Sequence, residues 1–373
     1  MPRACLHGTQ RYGQRDVRDL VAFAVLWALG WVLLWRVPVP GAAALIARDP
    51  VSIVVPARDE AANLPHLLGS LLPQLRATDE LLVIDDHSSD GTAGVARAGG
   101  AAVIAAPPLP PGWAGKQWAC NAGATAATTP TLVFLDADTR LEPGGLDRIA
   151  ALGAQPGLTS IQPFHLVPRW RERLAAFFNI VGMMGTAAFT PLGSRVAPRG
   201  AFGPCLATSV ADYRQAGGHE AARASVLDDV ALAAAYRRAG LAVRVLGGRG
   251  TIEFRMYPGG LADLVGGFTK NMGAAATAVR PLAALAVAGW LAACVAPLVL
   301  AARLPWPLAA ACYLAVALQV GLHLRRLGTF GPLVALAYPV ALALFLAVFA
   351  RSLLVTYGLG RVRWKGRSLP TRR

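Results

Sequence analysis

Two aspartates, Asp136 and Asp138, stand two residues apart directly after the apolar run 132–135. Carboxylates in this arrangement at a strand end can together hold a hard divalent ion, which bridges diphosphate oxygens and neutralises the charge of a leaving group. A strand end capped by turn-forming aspartates gives the same pattern without any metal. The pair is therefore a candidate metal site whose meaning depends on the other acidic clusters.

A second acidic pair, Asp228 and Asp229, precedes a stretch that is typical of a helix. Two adjacent carboxylates can raise one another's pKa, and a carboxylate with a raised pKa suits a general base. The alternative is a helix cap followed by an amphipathic helix over residues 230–239. Both aspartates are candidate catalytic residues.

Groups that could contact a base, a ribose or a phosphate follow further apolar runs. They are Pro56, Ala57, Arg58 and Glu60 after residues 51–55, Asp85 and Asp86 after residues 81–84, and Lys116 in the glycine-flanked segment 112–116. Charged groups at a strand end can hydrogen-bond a base or ribose, although acidic residues there also serve as ordinary helix caps. Lysine occurs three times against 33 arginines, so a lysine near the sheet suggests a phosphate or acidic partner, with a solvated surface lysine as the alternative.

Short β-branched runs must position these residues. Residues 51–55, 81–84, 101–105 and 131–135 alternate with helix-like segments, which predicts a parallel sheet with crossover helices. Open α/β sheets hold ligands at the carboxyl ends of their strands, where the acidic and polar residues fall.

The composition indicates a membrane protein. Mean hydropathy is +0.45, with 55% hydrophobic and 15% charged residues among 373, which is too apolar for an ordinary soluble protein. Charge-free windows predict C-terminal spans, and a Trp-rich segment predicts an N-terminal anchor. The predicted parts are a basic tail 1–16, an anchor helix 17–37, a soluble domain 48–280, C-terminal transmembrane helices in 281–357 (282–302, 304–324 and 327–356), and a basic tail 358–373. Residues 174–194 are either an interfacial helix or a buried helix of the soluble domain.

The net charge of +15 does not indicate nucleic acid. The last 110 residues contain twelve Lys or Arg and no acid, interleaved with long apolar runs, which is typical of membrane flanks. The five cysteines show no CxxC spacing, so neither a zinc site nor a disulfide framework is expected.

In order and approximate spacing, these clusters resemble glycosyltransferase family 2, the inverting nucleotide-sugar enzymes with a GT-A fold. Segments 110–119, 268–271 and 364–367 are similar to the branch that glycosylates membrane lipids, which includes carotenoid-acid glucosyltransferases and hopanoid-associated relatives. The resemblance implies an α/β fold with a GT-A, Rossmann-like mixed sheet plus transmembrane helices.

The resemblance also implies a role for each cluster. It assigns Pro56, Ala57, Arg58, Glu60 and Asp86 to the uridine, Asp85 to nucleotide-sugar binding, Lys116 to the donor, Asp136 and Asp138 to Mg²⁺ or Mn²⁺ at the diphosphate with Asp136 also contacting the nucleotide sugar, Asp229 with Asp228 to base catalysis, and Arg255, Lys270 and Asn271 to diphosphate or acceptor contacts. The QxxRW motif of processive synthases is absent, which favours transfer of a single sugar.

The implied protein is a membrane-bound inverting enzyme that moves one hexose, most simply glucose, from a UDP-sugar to a lipid acceptor such as a carotenoid or other terpenoid. A ceramide-like, sterol-like or polyprenyl-phosphate acceptor is the alternative within the same reaction. A catalytically inactive membrane scaffold of the same fold is the alternative outside it.

Nucleotide sugars are cytosolic, so the expected location is the inner membrane, multi-pass, with a cytoplasmic catalytic domain. One anchor and three full spans would place both basic ends outside, against the positive-inside rule. One re-entrant or interfacial C-terminal window would bring the tail back inside.

Overall fold

The computed structural model describes residues 13–41, 48–225, 227–359, 361–364 and 367–370. Residues 1–12 of the predicted N-terminal tail and residues 360, 365–366 and 371–373 of the predicted C-terminal tail lie outside these ranges. The strands are β1 Val51–Ala57, β2 Glu80–Asp85, β3 Ala102–Ala105, β4 Thr131–Leu135, β5 Thr139–Leu141, β6 Leu158–Gln162, β7 Phe164–His165, β8 Cys205–Ser209, β9 Val243–Gly247, β10 Ile252–Phe254, β11 Arg361–Trp364 and β12 Arg367–Pro370. All four strands predicted from the sequence are confirmed.

Seven strands form the main sheet, in the order β3-β2-β1-β4-β8-β6-β9. Strand β8 is antiparallel to both of its neighbours, and the other neighbouring pairs are parallel. The sheet is therefore mixed, as the sequence implied. Strands β5, β10 and β7 form a smaller sheet in that order beside it.

The helices fall into two groups, one around the sheet and one apolar. In chain order they are α1 Gln14–Leu33, α2 Leu64–Leu71, α3 Thr92–Ala98, α4 Gly115–Ala126, α5 Gly145–Gly153, α6 Ala176–Gly185, α7 Val210–Gln215, α8 Asp228–Arg238, α9 Leu261–Ala278, α10 Pro281–Leu300, α11 Trp306–Leu327, α12 Pro332–Leu336 and α13 Tyr338–Leu354.

The alternation of side chains along the strands gives the sheet a core on each face. Ile53 of β1 packs with Leu67 of α2 and Ile149 of α5 on one face. Val54 faces the opposite side and packs in a second core with Tyr236 of α8. Helices on both faces hold the strand ends in place, and with them the residues that follow each strand.

Three helices of the described part are long and apolar enough to cross a membrane, at Pro281–Leu300, Trp306–Leu327 and Tyr338–Tyr357. Helix α1 is not among them, although it packs along α10. The predicted window 327–356 is wrong as a single helix. The chain breaks after α11, forms the short α12 and starts α13 at Tyr338, because glycines and prolines interrupt the apolar run there.

Helix α6 joins the sheet domain to the apolar helices. Its Phe178 stacks on Phe268 of α9 with ring centroids 4.0 Å apart, and its Phe177 stacks on Trp290 of α10 at 5.7 Å. Most of α6 is buried in this third core. Within the predicted segment 174–194, residues 176–185 form this helix, and they pack against α10, α11 and α13.

The apolar helices run alternately away from the sheet domain and back. Helix α10 starts beside it, where Arg280 donates to the carbonyl of Ala197 at 3.2 Å. Helix α11 returns, since Gly328 pairs with His165 of β7. The Tyr338 hydroxyl, at the start of α13, donates to the carbonyl of Cys294, well along α10.

Candidate active site

A cavity of about 1070 Å³ begins at the carboxyl ends of β1 and β4 and continues between α6, α9, α10 and α13. Its polar end is lined by thirteen of the fourteen residues that the sequence nominated, the exception being Asp85. Its other end, here called the apolar arm, is lined by Phe178, Val181, Met183, Val279, Val287, Leu291, Phe345 and Phe349. One space therefore connects a charged site to an apolar region among the candidate spans.

Asp85 ends β2 outside this lining. Its carboxylate accepts a hydrogen bond from the backbone N–H of Ser88 at 3.2 Å, so it stabilises the turn after the strand. The predicted nucleotide contact from Asp85 is therefore not supported by its position.

Arg58 and Asp86 meet at the ends of neighbouring strands. Arg58 Nη1 donates to the backbone carbonyl of Asp86 at 3.0 Å and lies 3.5 Å from the Asp86 carboxylate. Asp86 itself is only 5% exposed. Glu60 accepts from the Asn63 amide at 2.7 Å in the same corner. These partners fix polar groups along a wall of the cavity where a base or ribose could bind.

Lys116, in the first turn of α4, forms an ion pair with Asp136 at 2.6 Å. Burial alone would lower the pKa of the Lys116 ammonium, but the charges of Asp136 and Asp228 outweigh it, so the pKa is raised. The lysine thus stays charged at the centre of the acidic cluster.

The Asp136–Asp138 pair concentrates negative charge. Burial, followed by the charges of Asp136 and Glu60, raises the pKa of Asp138 to about 7. Burial also raises the pKa of Asp136, although Lys116 opposes this shift. One lysine does not balance the acids, so the site has the chemistry of a cation site.

The described residues contain no group of three His, Cys, Asp or Glu side chains placed to hold a metal alone. Mg²⁺ is commonly bound by one or two carboxylates together with substrate phosphates and water. Asp136 and Asp138 fit that mode, in which the donor supplies part of the coordination.

Asp229 lies across the cavity in the first turn of α8. Its Oδ2 accepts from the Gly203 backbone N–H at 3.0 Å and its Oδ1 from the Val230 N–H at 2.8 Å. Burial, followed by the charge of Asp228, raises the pKa of Asp229 to about 7. A side-chain carbon on Gly203 would lie 3.4 Å from the Lys116 ammonium, so the Gly203 backbone passes close to the first turn of α4.

Sequence reasoning missed Glu172, which forms an ion pair with Arg255, one of the predicted diphosphate or acceptor contacts. Arg255 Nη2 donates to Glu172 Oε1 at 2.5 Å, and its Nε lies 3.2 and 3.3 Å from the two carboxylate oxygens. Glu172 is 3% exposed, whereas Arg255 reaches the cavity. The available signal was a single acid among the arginines that flank residues 174–194.

Lys270 and Asn271 line the cavity from α9, and their predicted contact with the diphosphate or the acceptor stays a prediction. Burial lowers the pKa of the Lys270 ammonium, Asp228 opposes that shift and Lys116 adds to it. Beside them the Ser352 hydroxyl of α13 contacts the backbone of α9, where it accepts from the Gly273 N–H at 2.7 Å and donates to the Thr269 carbonyl at 2.6 Å. A hydroxyl inserted between an i and i−4 backbone pair bends a helix.

Tyr257 was also missed. It has a left-handed backbone, with φ 54°, in the loop that leads from β10 to α9. Its ring packs edge-on against Phe268 at 5.1 Å, and burial, followed by the charge of Asp138, raises its pKa. Tyr257 therefore lies between the Asp136–Asp138 pair and α9.

Residues 52–173 match the family model for glycosyl transferase family 2. The chain is 34% identical over 329 residues to 4,4'-diaponeurosporenoate glycosyltransferases from Staphylococcus aureus strains USA300 and NCTC 8325, covering 85% of this chain and 87% of each relative. A mannosyltransferase from Pyrobaculum calidifontis, solved with GDP-Man and Mn²⁺, aligns with a TM-score of 0.54 and 18% identity over 90% of this chain and 98% of that one. The predicted GT-A fold with apolar helices is thereby confirmed.

Proposed function

Because the chain belongs to glycosyltransferase family 2, we propose that it moves a single hexose from a UDP-sugar, with glucose as the first candidate, to a lipid acceptor at the membrane. One observation carries the proposal. The cavity that holds the carboxylates and Lys116 continues without a partition into the apolar arm among the candidate spans. A donor at one end and an apolar acceptor at the other would meet beside Asp229.

The donor would bind at the ends of β1, β2 and β4. Arg58 and Asp86 would contact the nucleoside, and Lys116 would face the diphosphate. Asp136 and Asp138 would hold Mg²⁺ or Mn²⁺, which would neutralise charge on the departing diphosphate. Support comes from the excess of negative charge at this pair and from the Mn²⁺ in the structure of the Pyrobaculum enzyme.

Asp229 would act as the base. Its carboxylate would take the proton from an acceptor hydroxyl as that oxygen attacks the anomeric carbon opposite the leaving diphosphate. One displacement of this kind inverts the configuration. A pKa near 7 suits the task, because a base that is half ionised at neutral pH is also strong enough to accept a proton there.

The apolar arm supports an acceptor with a long hydrocarbon tail. Its lining residues come from α6, α10, α13 and the residue that follows α9, and they present aliphatic and aromatic groups. The Staphylococcus aureus relatives are named for a carotenoid acid, so a carotenoid or other terpenoid is the first acceptor class to test.

We also propose that the sheet domain and the C-terminal tail lie on the cytosolic side of the membrane. Helices α10 and α11 would form one complete excursion, and α12–α13 a re-entrant hairpin that starts part-way along α10 and returns beside α9. The N-terminal end of α1 would lie on the far side, since Asp19 is 3.9 Å from Arg303 after α10. Protease access to the tail in sealed inside-out vesicles tests this arrangement, and a protected tail would contradict it.

The reaction can be tested in membranes that contain the protein, with labelled UDP-glucose, UDP-galactose or GDP-mannose and a native lipid extract. We expect label in the organic phase from a UDP-sugar, lost with EDTA and with Asp138→Asn. Asp49→Asn, which removes an exposed carboxylate outside the cavity, is the matched control and should retain activity. Absence of lipid-linked label from every donor, with a folded protein, would refute the proposal.

A further inference from the structure

Three arginines converge on the turn at residues 197–199, between α6 and β8. Arg237 of α8 donates from Nη1 to the Pro198 carbonyl at 2.7 Å, and Arg280 donates from Nη2 to the Ala197 carbonyl at 3.2 Å. Arg199 is the next residue in the turn and is exposed. Two consecutive carbonyls thus accept hydrogen bonds from Arg237 and Arg280, which are distant from this turn in sequence.

No carboxylate of the described residues forms an ion pair with any of these three arginines. Arg280 Nε is buried and has no hydrogen-bond partner within the same described part. Burial lowers the pKa of Arg237, and the charges of Arg199 and Arg280 lower it further. The cluster therefore holds repelling positive charges that an external anion would stabilise.

The cluster lies at the edge of the apolar helices. Arg280 directly precedes α10, whose Leu282 and Leu285 are 80% and 70% exposed. Leu192, on the same connection as Arg199, is 56% exposed. Large exposed apolar side chains beside unpaired cations match the boundary of a bilayer, where the apolar groups contact acyl chains and the cations meet headgroups.

We propose that Arg199, Arg237 and Arg280 bind the phosphate group of an anionic phospholipid of the surrounding bilayer. Guanidinium groups suit this ligand because their planar N–H donors pair with phosphate oxygens in a bidentate manner. Arg199 also lines the cavity, so the bound lipid would sit where the cavity meets the membrane. The site requires no glycosyl transfer, and it can be tested whether or not the proposed reaction is correct.

The test uses purified full-length protein in mixed micelles with equal phosphatidylglycerol and phosphatidylcholine, and counts bound lipids by native mass spectrometry. Arg199→Gln with Arg280→Gln removes two cluster charges. Arg214→Gln with Arg238→Gln is the matched control, because it removes two exposed arginines of α7 and α8 that lie outside the cluster.

Wild-type protein should retain phosphatidylglycerol in preference to phosphatidylcholine. Each cluster arginine contributes roughly fivefold to binding at an anionic surface, so the double variant should lose about 25-fold in preference while the control stays close to wild type. The single exposed variant Arg199→Gln should lose about fivefold and covers the case in which the double variant does not fold.

Equal retention of both lipids by the wild type, or equal losses in the cluster and control variants, would overturn the proposal. Inorganic phosphate is added in a separate arm. If it displaces the lipid as effectively as phosphatidylglycerol itself, the site takes free phosphate and the assignment to a phospholipid is wrong.

Discussion

Replacing Asp229 by asparagine separates the proposed base from its structural role. The carboxylate accepts one hydrogen bond on each oxygen, from Gly203 at 3.0 Å and from Val230 at 2.8 Å. An asparagine has one acceptor oxygen, so its NH₂ group would face one of these donors and cost about 1–3 kcal/mol of folding free energy. The shape is otherwise preserved, and the variant should fold.

The catalytic effect depends on the acceptor. A general base contributes about 10²- to 10⁴-fold to a rate, so Asp229→Asn should reduce transfer to a hydroxyl acceptor by that factor. A carboxylic acid with a pKa of about 4–5 is already ionised at pH 7 and has no proton to lose. With an acid acceptor the transfer rate of the same variant should therefore fall by less than about tenfold. That loss would come from the altered hydrogen bonds to Gly203 and Val230 and not from a missing base.

Initial rates on a fatty alcohol and on the fatty acid of equal chain length make the comparison, with thermal unfolding of each protein measured alongside. Asp49→Asn controls for loss of one negative charge. A loss of several thousand-fold on the acid acceptor would refute the reasoning, because Asp229 would then be needed for something other than removing a proton.

Four further predictions concern the pH dependence of transfer and substitutions at Glu172, Leu291 and Ser352. Transfer to a hydroxyl acceptor should rise as pH increases through about 7, because Asp229 must be ionised to accept the proton, and a flat pH–rate profile would contradict this. Glu172→Gln should weaken the support of Arg255 and lower the free energy of unfolding by about 1–3 kcal/mol in denaturant titrations. Leu291→Trp should fill the apolar arm and raise KM for long acceptors about tenfold or more, with donor binding by calorimetry unchanged. Ser352→Ala removes the hydroxyl that bonds the Gly273 N–H and the Thr269 carbonyl, and because these two groups can bond each other as an i and i−4 pair, stability should fall by no more than about 1 kcal/mol while acceptor KM rises.

The polar end of the cavity could be predicted from the sequence because the order of the parallel strands brings its residues together. Asp86 follows β2 and Asp136 follows β4, and both strands lie parallel to β1, after which Arg58 stands. Residues at the carboxyl ends of neighbouring parallel strands must be close in space, whatever the details of packing. Asp85 does not line the cavity, because neighbouring side chains along a strand point to opposite faces of the sheet. Its carboxylate accepts from the Ser88 N–H in the turn after β2 instead.

The partners of these residues could not be predicted. Arg255 and Glu172 are 83 residues apart, and neither hydropathy nor spacing links them. Ser352 donates to the Thr269 carbonyl of α9, which is also 83 residues away in sequence. Such contacts depend on how α6, α9 and α13 pack together, which is decided by shape complementarity among many apolar side chains rather than by any local pattern.

The sequence predicts a cytosolic sheet domain but three full C-terminal spans, which would place the basic tail on the opposite side of the membrane. This conflict arises because a hydropathy window counts apolar residues and does not show how far into the membrane they reach. Helix α10 has 20 residues and is about 30 Å long, so Cys294 lies roughly 20 Å from its start. The Tyr338 hydroxyl reaches the Cys294 carbonyl, so α13 begins part-way along α10 rather than at its far end. The 17 residues of α13 cover about 25 Å, enough to bring Ser352 back to α9 beside the sheet domain. In the proposed arrangement the window 327–356 would therefore hold a hairpin that enters and leaves the membrane on one side, and the basic tail that follows it would lie with the sheet domain, as its charge favours.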